Sequence, residues 1–243
     1  MNIVAIIQAH MGSTRLPGKV LLDLNGCSML GRVVRRAQRA QLLSEVTVAC
    51  STEKADEAIV DECQKLRIRV YRGSDSDVLA RYHGAAVEYG ADVIVRITSD
   101  CPLIEPEIID KVVAEFQRSG ADYASNTIAR SYPRGLDTEV FKRTALDRAW
   151  SEATEAYQHV HVTPYLYQHP ESFKNVQVRH SEDLNELRWT VDTPEDFEFI
   201  SHIYRQFHGS DDFSWREVIA YLNQNPEVAD INRHIRQKEL KEL

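Results

Sequence analysis

A chain of 243 residues can bury one large core or two small ones, and no Pro/Gly/Ser-rich linker divides it, so it reads as a single domain over residues 1–243. Its 43% hydrophobic and 27% charged residues are those of an ordinary soluble globular protein. A formal net charge of -8 argues against a nucleic-acid binder, since affinity for a polyanion comes mainly from Lys and Arg on phosphates; an anionic ligand must meet a local cluster of cations.

The N-terminal residues run straight into an apolar segment without a basic leader. No window approaches the ~18 apolar residues that span a bilayer, which implies a cytoplasmic protein with no membrane partner. Four cysteines (Cys27, Cys50, Cys63, Cys101) form no C-x-x-C pair, so they read as reduced core thiols rather than zinc ligands.

In chain order, residues 2–9 form an apolar strand followed by a Gly/Ser/Pro loop. Residues 29–42 place Leu30, Val33, Val34, Ala37 and Ala40 at helical spacing. Strand 45–51, helix 54–66, strand 68–71 and helix 77–90 follow. The strand 92–98 (DVIVRIT) is the strongest in the chain, and helix 106–119 carries Ile108, Ile109, Val112, Val113 and Phe116 on one face. This β-α alternation predicts an α/β fold with a mostly parallel sheet covered by helices on both sides. Residues 121–141 are less regular, with short β-like pieces around Tyr132-Pro133-Arg134-Gly135, and read as a lid or small β-element. Residues 187–192 (LRWTVD) read as a short strand. Thr193-Pro194-Glu195-Asp196 then supplies an N-cap, a Pro at the first helical position and an acid two residues on. The charged tail 227–243 reads as a solvated helix.

The segment Gly12-Ser13-Thr14-Arg15-Leu16-Pro17-Gly18-Lys19 directly follows the first strand, where open parallel sheets bind ligands. Its glycines let backbone N–H groups approach an anion, its hydroxyls add donors, and Arg15 and Lys19 add fixed charge, a combination suited to a triphosphate. It is not a Walker A loop: Gly12 and Gly18 are one residue too far apart, and Val20 stands where Ser or Thr would bind the metal. Asp100 follows the strand 92–98 and Asp192 follows 187–191, so both stand at predicted strand ends and could meet across one site. Two carboxylates suffice for Mg²⁺, which keeps waters and adds substrate phosphates. An aspartate before Thr-Pro could equally be a turn or helix cap.

Together with Ala9 and His10, that loop, Arg72-Gly73-Ser74 with Asp77 and Arg81, Arg96-Ile97-Thr98-Ser99-Asp100-Cys101-Pro102-Leu103, and Arg188-Trp189-Thr190-Val191-Asp192-Thr193-Pro194 closely resemble the SpsF-type cytidylyltransferases. That branch is similar to the acylneuraminate and 3-deoxy-manno-octulosonate cytidylyltransferases. The resemblance implies a three-layer α/β/α nucleotide-diphospho-sugar transferase fold with a small protruding β-element, usually dimeric. It also implies Mg²⁺-dependent transfer of CMP from CTP to a sugar acid or related sugar for surface polysaccharide synthesis. Ala9, Gly12, Ser13 and Thr14 would meet the triphosphate, with Arg15 and Lys19 stabilising the leaving pyrophosphate and Asp100 and Asp192 on the metal. Arg72, Ser74, Asp77 and Arg81 would lie near the nucleotide. Tyr132, Arg134, Asp137 and Glu139, in a segment similar to Y-P-x-G-L-D-x-E, would face the acceptor, as would His161. Two departures stand out: His10 stands where the family commonly has Arg, and in Gln158-His159-Val160-His161-Val162-Thr163-Pro164, where the family commonly shows R-E-H-V-T-P, only His161-Val162-Thr163-Pro164 matches.

Two other readings compete. Asp75-Ser76-Asp77 is a D-x-D, the metal motif of glycosyltransferases of related fold, although such an enzyme has no need of a triphosphate loop. A catalytically silent nucleotide-binding protein on the same fold is the third, since fold does not fix activity.

Overall fold

The computed structural model describes residues 1–237. β1 (Ile3–Gln8) alternates by the period of two that a strand requires. Ile3, Ala5 and Ile7 enter one core cluster and Val4 and Ile6 the other, so the strand is buried on both faces. After it come α1 (Met29–Ala37), β2 (Glu45–Ser51), α2 (Glu57–Leu66), β3 (Val70–Gly73), α3 (Val78–Glu88), β4 (Val93–Thr98) and α4 (Pro106–Ser119). Then follow β5 (Tyr123–Ser125), β6 (Glu139–Lys142), α5 (Arg143–Glu152), α6 (Ala156–His161), α7 (Pro164–Gln168), β7 (Asn175–Gln177), α8 (Pro194–Gln206), α9 (Trp215–Gln224) and α10 (Pro226–Ala229).

The seven strands form one sheet in the order β3-β2-β1-β4-β6-β5-β7. β1 to β4 are mutually parallel, and β6 runs antiparallel to both β4 and β5. Helices α1, α2, α4, α8 and α9 cover one face, and α3 and α5 with residues of the α6–α7 region cover the other. The predicted α/β sandwich is therefore present. The segment 121–141, read from sequence as a lid or small β-element, supplies β5 and β6 within this main sheet, and the stretch off the sheet is the connection 126–138. The tail beyond Glu227 contains α10 and then turns through Arg233; of the expected helix 227–243, residues 238–243 lie outside those described. No helix among the described residues is long and apolar enough to cross a membrane.

The expected strand 187–192 is instead an extended lace with a single bridge, Arg134 to Arg188. Its amides go to two different loops, Trp189 N–H to the Arg134 carbonyl (2.7 Å) and Val191 N–H to the Asp100 carbonyl (2.8 Å), so no ladder forms. The lace ends at a buried hub. Asp196 closes the capping box of α8 with Thr193, accepts from the amides of Asp192 and Thr193 (both 3.0 Å), and takes Arg188 side-on at 2.8 Å for both bonds.

Burial alone would raise the Asp196 carboxyl; the Arg188 guanidinium and the Asn232 and backbone donors outweigh it and hold the group below its ordinary 3.8. Asp196→Ala is expected to cost about 3–5 kcal/mol at pH 7, because it leaves Arg188 buried without its main partner. A carboxyl with a lowered folded-state value stabilises fully above 3.8 and loses that contribution as pH falls through the lowered value. Urea unfolding should accordingly show the gap between wild type and variant narrowing only below that pH.

Candidate active site

Every predicted phosphate or metal residue lies at the carboxyl ends of β1 and β4 or on the lace beside them. Past Gln8 the chain stays in register for one more bond, Ala9 N–H to the Ala49 carbonyl (3.0 Å), and then leaves the sheet. The loop closes on itself through Gly18 N–H to the Met11 carbonyl (3.2 Å) and Leu16 N–H to Ser13 Oγ (3.4 Å). Gly18 turns it with φ 68°, the left-handed region that glycine enters without steric cost. Among the described residues, the N–H groups of residues 12–15 have no acceptor. Gly12 and Thr14 are exposed, so this run of donors opens to solvent where an anion can land.

Asp56, which sequence reasoning overlooked, fixes the loop from beneath. Its buried carboxylate accepts from Met11 N–H (2.7 Å) and Ser51 N–H (2.8 Å), tying the loops after β1 and β2 together. Its place in a predicted helix gave no signal of this, since the residues 54–56 form a separate short 3-10 turn before α2.

Asp100 and Asp192 do meet. The buried Lys19 ammonium donates to Asp192 Oδ1 (2.8 Å), Asp100 Oδ2 (3.3 Å) and the Val191 carbonyl (2.6 Å). Arg15 (3.1 Å) and Arg188 (3.0 Å) both reach Asp192 Oδ2. Burial would lower the Lys19 ammonium, but the Asp100 and Asp192 charges more than offset it and raise the group above 10.5. Burial likewise would raise Asp192, and Lys19, Arg15 and Arg188 hold it below 3.8. Both groups therefore stay ionised across the neutral range. Asp100 and Asp192 keep 27% and 13% of their side chains exposed, so the pair can be reached from solvent.

Residues expected around the nucleotide are largely engaged by one another and by neighbouring backbone, although Arg81 Nε is buried without a partner among the described residues. Arg72 donates to the carbonyls of Ser51 and Glu53, Arg81 to the Ser74 carbonyl (2.6 Å), and Ser74 Oγ accepts the Asp77 N–H. Asp77 caps α3 through Ala80 N–H (2.8 Å) and faces His159 Nδ1 at 3.0 Å. This commitment weakens the D-x-D reading, since the second aspartate is a helix cap.

A pocket of about 310 Å³ opens at the end of β4, lined in part by Thr98, two residues before Asp100, and by Asp137, Glu139, His161 and Thr163. Three of the five residues expected to face an acceptor are thus brought together. Tyr132 is not among them: it is buried, its hydroxyl accepts from Lys111 Nζ (2.8 Å), and its ring packs against Trp215 and His180. Arg134 also lies off the pocket wall, half-buried against the lace, with Leu187 and Trp189 on its backbone groups. The sequence reading gave no role to Arg96, Thr127, Thr163 or Tyr167, all of which line the pocket; only their order in the fold brings them together. Cys101, buried and pushed well above the usual thiol range by burial and then by Asp100, is packing rather than a nucleophile.

A family model described as cytidylyltransferase matches residues 4–231. The chain belongs to the cytidylyltransferase family. The spore coat polysaccharide biosynthesis protein SpsF of Bacillus subtilis is 34% identical over 94% of this chain and 97% of its own. The 3-deoxy-manno-octulosonate cytidylyltransferase of Geobacter sulfurreducens is 38% identical over about half of each chain, 50% of this one and 48% of its own. A cytidylyltransferase structure from Leptospira borgpetersenii superposes with a TM-score of 0.91 at 32% identity, covering 98% of this chain and 100% of that one. This cytidylyltransferase is therefore a nucleotidyltransferase of SpsF type, with the α/β fold of that group.

The metal expected from the resemblance has a chemically suitable place. Among the described residues no group of three or more His, Cys, Asp or Glu side chains could hold a metal ion. Mg²⁺ needs no such group, because it takes one or two carboxylates and completes its shell with water and substrate phosphates. Two partly exposed carboxylates already converge on one cationic centre, the Lys19 ammonium.

Proposed function

We propose that this enzyme transfers CMP from CTP to a hydroxyl of a sugar acid or related sugar, releasing pyrophosphate, as a cytoplasmic homodimer that requires Mg²⁺. The observation that carries the reading is the convergence of Asp100 and Asp192 on Lys19 beside a loop whose amides at 12–15 have no acceptor among the described residues. The acceptor oxygen attacks the α-phosphorus, the bond to the β-phosphate bridging oxygen breaks, and the electron pair leaves with pyrophosphate. The loop amides and Arg15 hold the β- and γ-phosphates, and Lys19 moves from the carboxylates onto the developing charge. Asp100 and Asp192 would hold Mg²⁺, which when bound neutralises charge on the phosphates. Preference for CTP and for a sugar acceptor follows from the kinship with the SpsF and octulosonate enzymes. The pocket lined by Thr98, Asp137 and His161 is the acceptor site, since Thr98 stands two residues before Asp100.

Pyrophosphate release from CTP, UTP, GTP and ATP, each with Mg²⁺ and a panel of sugar acids and neutral sugars, tests this directly. Release with CTP and an acceptor, abolished by chelation, is the expected result. Consumption of a nucleotide sugar without pyrophosphate release from any nucleotide would replace the proposal with glycosyl transfer.

A further inference from the structure

The C-terminal stretch of the described chain returns to the site. Val228 is buried in the main core cluster, and Ala229 and Ile231 pack against it, which anchors the tail after α10. Asn232, 2% exposed, uses both amide hydrogens on the lace, one on the Arg188 carbonyl and one on Asp196 Oδ1, each at 2.9 Å. Ile235 N–H donates to the Asn232 carbonyl (3.0 Å) and closes a turn, after which Gln237 Oε1 accepts from Arg188 Nη1. The void between lace and tail, lined in part by Arg188, Trp189 and Asn232, is about 20 Å³, room for one water.

These contacts complete the Arg188 guanidinium. Asp196 takes its side-on edge, Nε to Oδ1 and Nη2 to Oδ2, both at 2.8 Å. Asp192 and Gln237 divide what is left, Asp192 Oδ2 accepting from Nη2 (3.0 Å) and Gln237 accepting from Nη1. A guanidinium is planar, so an acceptor at each terminal nitrogen fixes the direction in which Nη2 meets Asp192.

Arg188 differs from the other two cations on Asp192. In the reaction proposed above, Arg15 and Lys19 engage the phosphates. Arg188 has 7% of its side chain exposed, against 32% for Arg15, and is tied on every nitrogen, so it stays where it is. It is then the contact that keeps the Asp192 carboxylate in place.

We infer that Gln237, on a tail moored by Asn232, is a positioning residue of the active site, acting through Arg188 to hold Asp192 while Lys19 and Arg15 engage the phosphates. This rests on the transfer reaction proposed above and extends its site to the C-terminal tail. Asn232 and Gln237 both lie past residue 231, where the family match ends, so that match gives them no role.

The test compares full-length wild type, Gln237→Met, Gln237→Glu, Arg188→Lys and the double variant Gln237→Met/Arg188→Lys. Met keeps the length of the side chain and removes the acceptor. The kcat for pyrophosphate release should fall about tenfold in Gln237→Met, with the KM for CTP within about twofold of wild type. Glu restores an acceptor oxygen and should recover most of the loss. Arg188→Lys has no Nη1, so adding Gln237→Met to it should lower kcat no further. A crystal structure of Gln237→Met should show Arg188 Nη2 out of hydrogen-bond reach of Asp192 Oδ2, against 3.0 Å in the wild type. An unchanged kcat in the folded Met variant, a Glu variant no better than Met, an equal loss in the Arg188→Lys background, or an Arg188–Asp192 contact kept in the Met crystal would overturn the inference. Failure of the reaction itself is read separately, as no pyrophosphate from CTP with any acceptor in the wild type; the crystallographic comparison decides Gln237 even then.

Discussion

Asp192→Ala is expected to lower CMP transfer by about 10³-fold or more, equivalent to about 4 kcal/mol of transition-state stabilisation, while leaving the fold intact. The carboxylate is the point where Lys19, Arg15 and Arg188 converge, so its loss disperses the whole constellation. The fold survives because the two buried cations keep other ties, Lys19 to the Val191 carbonyl and Asp100 and Arg188 to Asp196, while Arg15 is partly exposed to solvent. Steady-state rates alongside thermal unfolding check this. Turnover within tenfold of wild type would show that Asp192 is only part of the loop preceding α8.

Lys19→Met should act in opposite directions on two measurements. Turnover is expected to fall about 10²- to 10³-fold, the usual loss when a preorganised charge facing developing negative charge is removed. Binding of Mn²⁺ without nucleotide should tighten by about tenfold or more, because the ammonium no longer lies between the carboxylates and repels an incoming cation. Calorimetry or the electron paramagnetic signal of free Mn²⁺ reads the second effect. Weaker Mn²⁺ binding in the variant would mean that Lys19 organises the carboxylates and does not compete with the metal.

The sequence was most informative where local pattern and tertiary role coincide. Strand 45–51 and helix 106–119 match β2 and α4 at both ends, since each carries an unbroken apolar period bounded by a turn signal. Where an end was misjudged, a residue with a second task is the cause. The helix expected to reach residue 42 stops at Ala37, and the amides of Gln41 and Leu42 turn to the Asp110 carboxylate. β3 begins at Val70 rather than residue 68 because Arg67, at φ 56°, and Ile68, donating to the Cys63 carbonyl, still belong to the stop of α2.

The lace 187–192 has the alternation of a strand, and nothing in its residues says that its amides serve two loops. Gly135 explains the close approach: at φ 109°, a Cβ there would lie 2.6 Å from the Trp189 carbonyl carbon. In the site, the position of the loop 12–19 after β1 and of Asp100 after β4 was legible from the strand ends, whereas Asp192 was found through an expected strand that is the lace. The pocket proposed for the acceptor was only half legible. Arg96 and Thr163 stand 67 positions apart in the chain and meet only through Glu139, a contact that the β4–β6 register creates.

The most direct test is a crystal structure with CTP and Mn²⁺, in which anomalous scattering places the metal. The account predicts a peak in contact with both Asp100 and Asp192, with the phosphates over residues 12–15 and the Lys19 ammonium moved onto them. A peak at Asp75 and Asp77, with Lys19 still between Asp100 and Asp192, would contradict it.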